Sequence, residues 1–222
     1  MLARSKSSPA VALLTLDRPD VRNALSTELR DRISDALDEL AQDGEVKVIV
    51  VTGNGPVFCS GFDLKEFEQA MEDEDLATRL WASSDRFHAT VLKCPLPTIA
   101  AVNGPALAGG FDLAVMCDVR VAATTTRFAH PERTFGDVVY APLHDLVGGS
   151  VARDLCLTGR SIDAEEARAL RLVSSVVEPD EVLPTALAIA ERTAEAPRDV
   201  LVRTKAKALR RAAIEVEGTL DL

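Results

Sequence analysis

The stretch that most constrains this chain is Asn103 to Asp118, NGPALAGGFDLAVMCD. It follows an apolar, partly β-branched run, Thr98 to Val102, of the length expected for a buried strand. Small residues fill Gly104 to Gly110, after which apolar residues return at helical spacing. A strand, a glycine-containing turn and a helix start form a junction that points free backbone N–H groups outward, where they can meet negative charge. One carboxylate, Asp112, falls in the first turn of the expected helix. Two readings are open for it: a partner of the helix dipole, or a functional group held beside those donors.

A junction of this kind needs a substantial core around it, and 222 residues suffice for one. The chain is 47% hydrophobic and 27% charged, as expected for a folded globular protein, but only 4% aromatic, so Leu, Val and Ala must fill the interior. A formal net charge of −10 argues against nucleic-acid and anionic-membrane surfaces. An anionic small ligand stays possible if local basic or backbone N–H groups receive it. Cys59, Cys94, Cys117 and Cys156 are far apart, which points to free thiols in a reducing compartment. His88, His130 and His144 have no metal-ligand spacing, so no metal is expected. Val11–Leu16 is too short for a signal segment, and no stretch has transmembrane length. A cytoplasmic location follows as the expectation.

Taken in order, Val11 to Leu16 reads as a strand and Ser26 to Gln42 as a helix, with Leu29, Ile33, Leu37 and Leu40 on one face and Ser26 as N-cap. Val46 to Thr52 reads as a buried strand ending at Gly53-Asn54-Gly55-Pro56. Lys65 to Asp75, one Lys among six acids, has no apolar stripe and reads as solvated surface. A helix of about four turns is expected over Leu76 to Val91, and a short strand over Val119 to Ala122. Further helices are predicted over Ala152–Leu157, Ala164–Leu170 (capped by Asp163), Glu181–Glu195 and Val200 to about Val216, with a strand over Val173–Val177. Alternating strands and helices followed by mostly helix indicate an α/β fold without an internal linker.

Three segments just beyond predicted strands are candidates for chemistry: Gly61-Phe62-Asp63, Gly109-Gly110 with Asp112, and Pro131-Glu132. N–H donors from two loops, with one or two carboxylates, suit a thioester: the donors stabilise an enolate oxygen while a carboxylate moves a proton. Singly, Gly61-Phe62-Asp63 reads more readily as a turn, and Pro131-Glu132 as a helix start with Glu in the favoured first turn.

Together, their order and spacing resemble the crotonase (enoyl-CoA hydratase/isomerase) superfamily over nearly the whole chain. The matching pieces are Asp17-Arg18-Pro19 with Asn23-Ala24-Leu25, VIVVTGNGPVFCSGFDL at Val48–Leu64, and PTIAAVNGPALAGGFDLAVMCDVRVAA at Pro97–Ala123. RFAHPE at Arg127–Glu132 and LTGRSIDAEEARALRLVSSVV at Leu157–Val177 complete them. The resemblance implies a spiral of β-β-α turns over 1–180 with a helical C-terminal region over 181–222, both in one domain. It implies an acyl-CoA thioester substrate, no cofactor beyond the coenzyme A of that substrate, and a homotrimer or dimer of trimers. Carried over by position, Phe62 and Gly109 supply the oxyanion hole and Asp112 and Glu132 the two carboxylates. Arg22, Ala24, Cys59, Gly61, Asp63, Leu64, Lys65 and Gly110 line the coenzyme A path, with Arg22 and Lys65 as phosphate contacts. Asp137 and Tyr140 are pocket residues of a loop several residues shorter than the family's.

The hydratases carry Glu where this chain has Asp112, a loss of roughly 1.5 Å of reach, and a misplacement of about 1 Å can lower a rate on the order of a hundredfold. The hydratase pattern also has a glycine at Ala108 and a small residue at Phe62. Dienoyl-CoA isomerases use Asp and Glu at the two carboxylate positions, with a third Asp where this chain has Tyr140. The family usually continues into further helices beyond the point matching Leu222. The leading expectation is hydration of a 2-enoyl-CoA in fatty acid metabolism such as β-oxidation. Double-bond isomerisation by Glu132 alone, decarboxylation of a malonyl-type thioester, and acyl-CoA binding without turnover stand as alternatives.

Overall fold

The computed structural model describes residues 1–215, 218, 219 and 222. Its strands are β1 (Leu2–Ser8), β2 (Val11–Leu16), β3 (Val48–Gly53), β4 (Thr98–Val102), β5 (Ala106–Leu107), β6 (Val119–Ala123), β7 (Arg127–Ala129), β8 (Ile162–Asp163) and β9 (Ser175–Val177). The helices are α1 (Thr27–Gln42), α2 (Leu64–Ala70), α3 (Glu74–Lys93), α4 (Gly109–Met116), α5 (Ala141–Val147), α6 (Gly149–Thr158), α7 (Ala164–Ala169), α8 (Val182–Ala194) and α9 (Arg198–Ala212). Val216, the end of the last expected helix, lies outside the described residues.

A six-stranded sheet runs in the order β1-β2-β3-β4-β6-β9, antiparallel at β1–β2 and parallel from β2 onward. All six residues of β3 and all five of β4 are buried, as the apolar runs required of strands covered on both faces. Alternation decides which face each residue serves. Val48, Val50, Ile99, Ala101 and Val121 meet the small-residue stripe Ala186, Ala190 and Ala194 of α8, while Ile49, Val51 and Ala100 join Leu29, Ile33, Phe87 and Val91 in the main core. Lys205 of α9 holds that helix to the sheet, its ammonium 2.7 Å from Asp118 Oδ2 and 2.9 Å from the Leu96 carbonyl.

A second, smaller sheet gives the spiral its character. Cys59 bridges to Ala106 of β5, β5 lies parallel to β7, and β7 lies antiparallel to β8. Three strands of the large sheet lead to a shorter strand or bridge and then a helix: β3 to Cys59 and α2, β4 to β5 and α4, β6 to β7 and α5. These are the β-β-α turns of the expected α/β architecture, with α8 and α9 as its helical C-terminal region.

The short strands β5, β7 and β8 and the helix α5 were not expected, and two further elements depart from expectation. The Lys65–Asp75 surface segment contains α2, capped by Asp63, whose side chain accepts from the Lys65 N–H. Its Phe67 meets Trp81 of α3 edge-on at 6.1 Å, an anchor too sparse to show as an apolar stripe. β1 was not expected because five of its seven residues are exposed; it is an edge strand whose Arg4 and Lys6 pair with Glu39 and Asp43. Among the described residues, no helix is long and apolar enough to cross a membrane.

Candidate active site

Two loops meet at the end of the small sheet. Leu25 donates to the Gly61 carbonyl at 2.8 Å and accepts from the Asp63 N–H at 3.3 Å, fixing the Gly61–Asp63 loop in extended pairing. Gly61 has φ +90, and a Cβ there would stand 2.6 Å from Ala108 Cβ, so the loop lies against the start of α4 only because it carries glycine. The Phe62 ring packs on Gly109: a Cβ on that glycine would fall 3.0 Å from its edge. Among the described residues, neither the Phe62 nor the Gly109 N–H has a hydrogen-bond acceptor. Both residues line the same pocket of about 240 Å³.

Behind this loop stands Arg30, fully buried. It donates to the carbonyls of Leu25 (2.7 Å) and Leu80 (3.1 Å), and its guanidinium carbon lies 4.3 Å from the centre of the Phe62 ring. On the other loop, Ala108 has φ 50 and ψ −131, a conformation that side chains disfavour. Its carbonyl accepts from Phe111 (2.7 Å) and Asp112 (3.0 Å), which closes the first turn of α4 and directs Asp112 inward.

Asp112 is 4% exposed. Burial pushes its carboxyl up to about 8, with Glu132 adding to the effect and His130 opposing it. His130, 1% exposed, sits between the two carboxylates: its Nδ1 is 2.8 Å from Glu132 Oε1 and 3.8 Å from Asp112 Oδ1. Burial alone would lower its pKa, but the Glu132 hydrogen bond and the charges of Asp112 and Glu132 outweigh it and raise the value. Asp112 Oδ1 and Glu132 Oε2 are buried and have no hydrogen-bond partner among the described residues, so both are available to a water or substrate proton.

Of the sequence-predicted residues, Phe62, Leu64, Gly109, Asp112, Glu132 and Asp137 line this pocket. Gly61 and Gly110 are buried behind it; a Cβ on Gly110 would lie 2.3 Å from the Cys59 carbonyl oxygen. Cys59 is buried, its thiol pushed up to about 12, and Ala24 is buried beneath the first loop. Asp63 pairs with Arg18 at 3.1 Å besides capping α2. Arg22 and Lys65 are exposed and do not line this pocket; they flank the Gly61–Asp63 loop, the Arg22 carbonyl accepting from the Ser60 N–H at 3.1 Å and the Lys65 N–H donating to Asp63 at 3.3 Å. Tyr140 precedes α5 and lies 5.4 Å, ring to ring, from His144. Among the described residues, no group of three or more His, Cys, Asp or Glu is arranged to hold a metal ion.

Sequence reasoning missed His130, His88, Arg30 and an aromatic wall of Phe67, Trp81 and Phe135. His130 directly precedes Pro131-Glu132, so a search for titratable neighbours of that carboxylate would have found it. Arg30, His88 and Trp81 come from α1 and α3 and leave no local signal, while Phe67 and Phe135 lie close to Lys65 and Glu132 in segments without an apolar stripe. His88, buried on the pocket's inner side, is lowered to about 4 by burial and so stays neutral.

Comparison with known proteins agrees in sequence and in shape. A profile of the enoyl-CoA hydratase/isomerase family matches residues 6–219. The 2,3-dehydroadipyl-CoA hydratase of Escherichia coli K12 is 40% identical over 188 residues, covering 83% of this chain and 72% of that protein. The crystal structure of enoyl-CoA hydratase from Mycobacterium tuberculosis superposes with a TM-score of 0.82 at 34% identity, covering 95% of this chain and 89% of that one. That of Bacillus anthracis gives 0.83 at 29% identity, covering 95% and 88%.

Proposed function

Because this chain belongs to the enoyl-CoA hydratase/isomerase family, we propose that it hydrates the double bond of a 2-enoyl-CoA thioester. The observation that carries this reading is the convergence of Asp112, Glu132 and the acceptor-free N–H groups of Phe62 and Gly109 on one buried pocket. The thioester carbonyl sits against those two N–H groups, which stabilise its oxygen as the enolate forms. Water held by the carboxylates adds its oxygen to Cβ. One carboxylate takes the water proton and the other supplies a proton to Cα, so the double bond becomes one C–O and one C–H bond. No cofactor enters this scheme beyond the coenzyme A of the substrate.

Arg22 and Lys65, exposed beside the two loops, suit the phosphates of coenzyme A, and Ala24, Cys59, Gly61, Asp63, Leu64 and Gly110 shape the path from there to the carbonyl. Asp137 lines the pocket and would face the acyl group in this reading, whereas Tyr140 does not line it. The family resemblance supports a trimer or dimer of trimers and a role in cytoplasmic fatty acid breakdown. Loss of the 2-enoyl absorbance on mixing with crotonyl-CoA tests the central reading; a folded protein that leaves the absorbance unchanged overturns it. Asp112 favours a second reading, since its shorter side chain suits isomerisation by Glu132 alone. Conversion of a 3-enoyl-CoA without hydration of the 2-enoyl ester would establish that instead.

A further inference from the structure

His88 of α3 has no part in the proposed chemistry, yet it lines the pocket together with Phe62, Phe67 and Trp81. It is 1% exposed, and its Nε2 has no hydrogen-bond partner among the described residues. The opposite end of the ring is engaged. Nδ1 lies 2.9 Å from the Ser84 carbonyl oxygen, with Thr219 Oγ1 at 3.3 Å and Ser84 Oγ at 3.5 Å. A carbonyl oxygen only accepts, so Nδ1 carries the proton. Burial lowers the ring's pKa to about 4, and the Arg30 charge acts in the same direction against the Ser84 bond. The imidazole is therefore neutral and Nε2 is a bare acceptor. A buried acceptor without a donor is destabilising unless a bound molecule brings one. With Nδ1 turned back onto its own helix, Nε2 belongs to the end of the ring that projects from α3.

The surroundings restrict what can bring that donor. Phe62, Phe67, Trp81 and Phe135 give the pocket aromatic walls, and among the described residues no Lys or Arg lines it. Its ionisable lining residues besides His88 are Asp112, Glu132 and Asp137. A carboxylate at the end of an acyl tail finds no cation there and presents acceptors, not a donor, to Nε2. An ammonium would lose its hydration among the rings. A neutral hydroxyl meets both conditions: the carbons that carry it pack on the aromatic walls, and its O–H donates.

We propose that His88 determines acyl specificity: its Nε2 accepts a hydrogen bond from a neutral hydroxyl on the acyl group, so that the site selects hydroxylated acyl-CoA esters over unsubstituted ones. The proposal rests on the reading of this pocket as an acyl-CoA site, but not on hydration, since His88 gains and loses no proton.

Saturated esters, which cannot be hydrated, read binding apart from turnover. Matched pairs separate two sources of the hydroxyl: ω-hydroxyalkanoyl-CoA esters of four to eight carbons against their unsubstituted counterparts, and 3-(4-hydroxyphenyl)propanoyl-CoA against 3-phenylpropanoyl-CoA. Calorimetric titration of the whole protein is expected to give a Kd roughly 3- to 10-fold lower for the hydroxyl member of at least one pair, the worth of one neutral hydrogen bond. His88→Leu should bring that ratio to about one. Equal binding within every pair, the outcome if a trapped water alone satisfies Nε2, overturns the proposal, as does a preference that survives in His88→Leu. Binding of no ester at all overturns the acyl-CoA reading together with it. If His88→Leu does not fold, ¹⁵N-histidine NMR of the wild type decides, because a chain with three histidines resolves them. The His88 Nε2 signal should be that of a bare nitrogen in the free protein, and should move toward that of a hydrogen-bonded one with the hydroxyl ester and not with its partner. The same response to both esters, or a protonated Nε2 in the free protein, overturns the assignment.

Discussion

The guanidinium carbon of Arg30 stands 4.3 Å from the centre of the Phe62 ring while Nη1 of the same side chain holds the Leu25 carbonyl at 2.7 Å. One buried cation on α1 thus braces both the ring and the backbone of the loop that carries the Phe62 N–H. Replacing Arg30 with Met leaves the Leu25 and Leu80 carbonyls without that donor. A loss of about 2–4 kcal/mol in urea unfolding is expected, because a hydrogen bond from a charged donor is worth about 1.5–3 kcal/mol and removal of the buried cation offsets part of the loss of two such bonds. kcat/KM should fall with it, because the loop loses its brace; unchanged stability and activity would show that the contact has no such part.

Asp112 makes stability depend on pH in a definite direction. Its folded pKa, about 8, lies above the ordinary carboxylate value of 3.8, so between those values the folded state binds more protons than the unfolded one. Stability contributed by this group therefore falls as pH rises from about 4 to about 8 and is level above that. Asp112→Asn, which cannot ionise, should gain in Tm relative to wild type across that window, while losing activity on the order of 10²- to 10⁴-fold. A Tm difference that does not change from pH 5 to 9 would exclude a buried, proton-binding Asp112.

The turn before α4 makes two opposite predictions at neighbouring positions. Ala108, at φ 50 and ψ −131, holds a conformation that glycine adopts without strain. Ala108→Gly should raise stability by about 1 kcal/mol, measured by urea unfolding, as relief of that strain outweighs the added chain entropy. Gly110→Ala should do the reverse, since a Cβ would lie 2.3 Å from the Cys59 carbonyl oxygen and 2.7 Å from its Cβ. The start of α4 must shift to relieve this, and a displacement of about 1 Å at Asp112 would lower kcat on the order of a hundredfold.

Trp81 and Phe67 close the outer side of the pocket. Trp81→Ala should raise kcat/KM for longer acyl chains relative to crotonyl-CoA by roughly 10-fold or more, as one methylene in an apolar pocket is worth about 1–3 kcal/mol. An unchanged ratio along a series of chain lengths would place the acyl chain elsewhere.

The sequence by itself determined what is local and periodic. The buried runs of β3 and β4, the apolar face of α1 with its Ser26 cap at 3.3 Å, and the Asp163 cap of α7 follow from spacing and side-chain chemistry within a few residues. The turn at Gly109 was legible too, because a strand–turn–helix junction leaves its mark on consecutive residues, whereas Asp112 and Glu132 were singled out as a pair by the order of the motifs along the chain. Only the tertiary structure decided what depends on distant partners. β1 exists because β2 pairs with it, and α2 because Phe67 finds Trp81. Arg30 reaches the loop residue Phe62 from α1. His130 becomes a partner of Asp112 only when β7 delivers it beside α4, eighteen residues away in sequence. Burial raises Asp112 and, with those neighbours, sets where the site's protons rest. Burial is a property of the packed interior, and no window of sequence contains it.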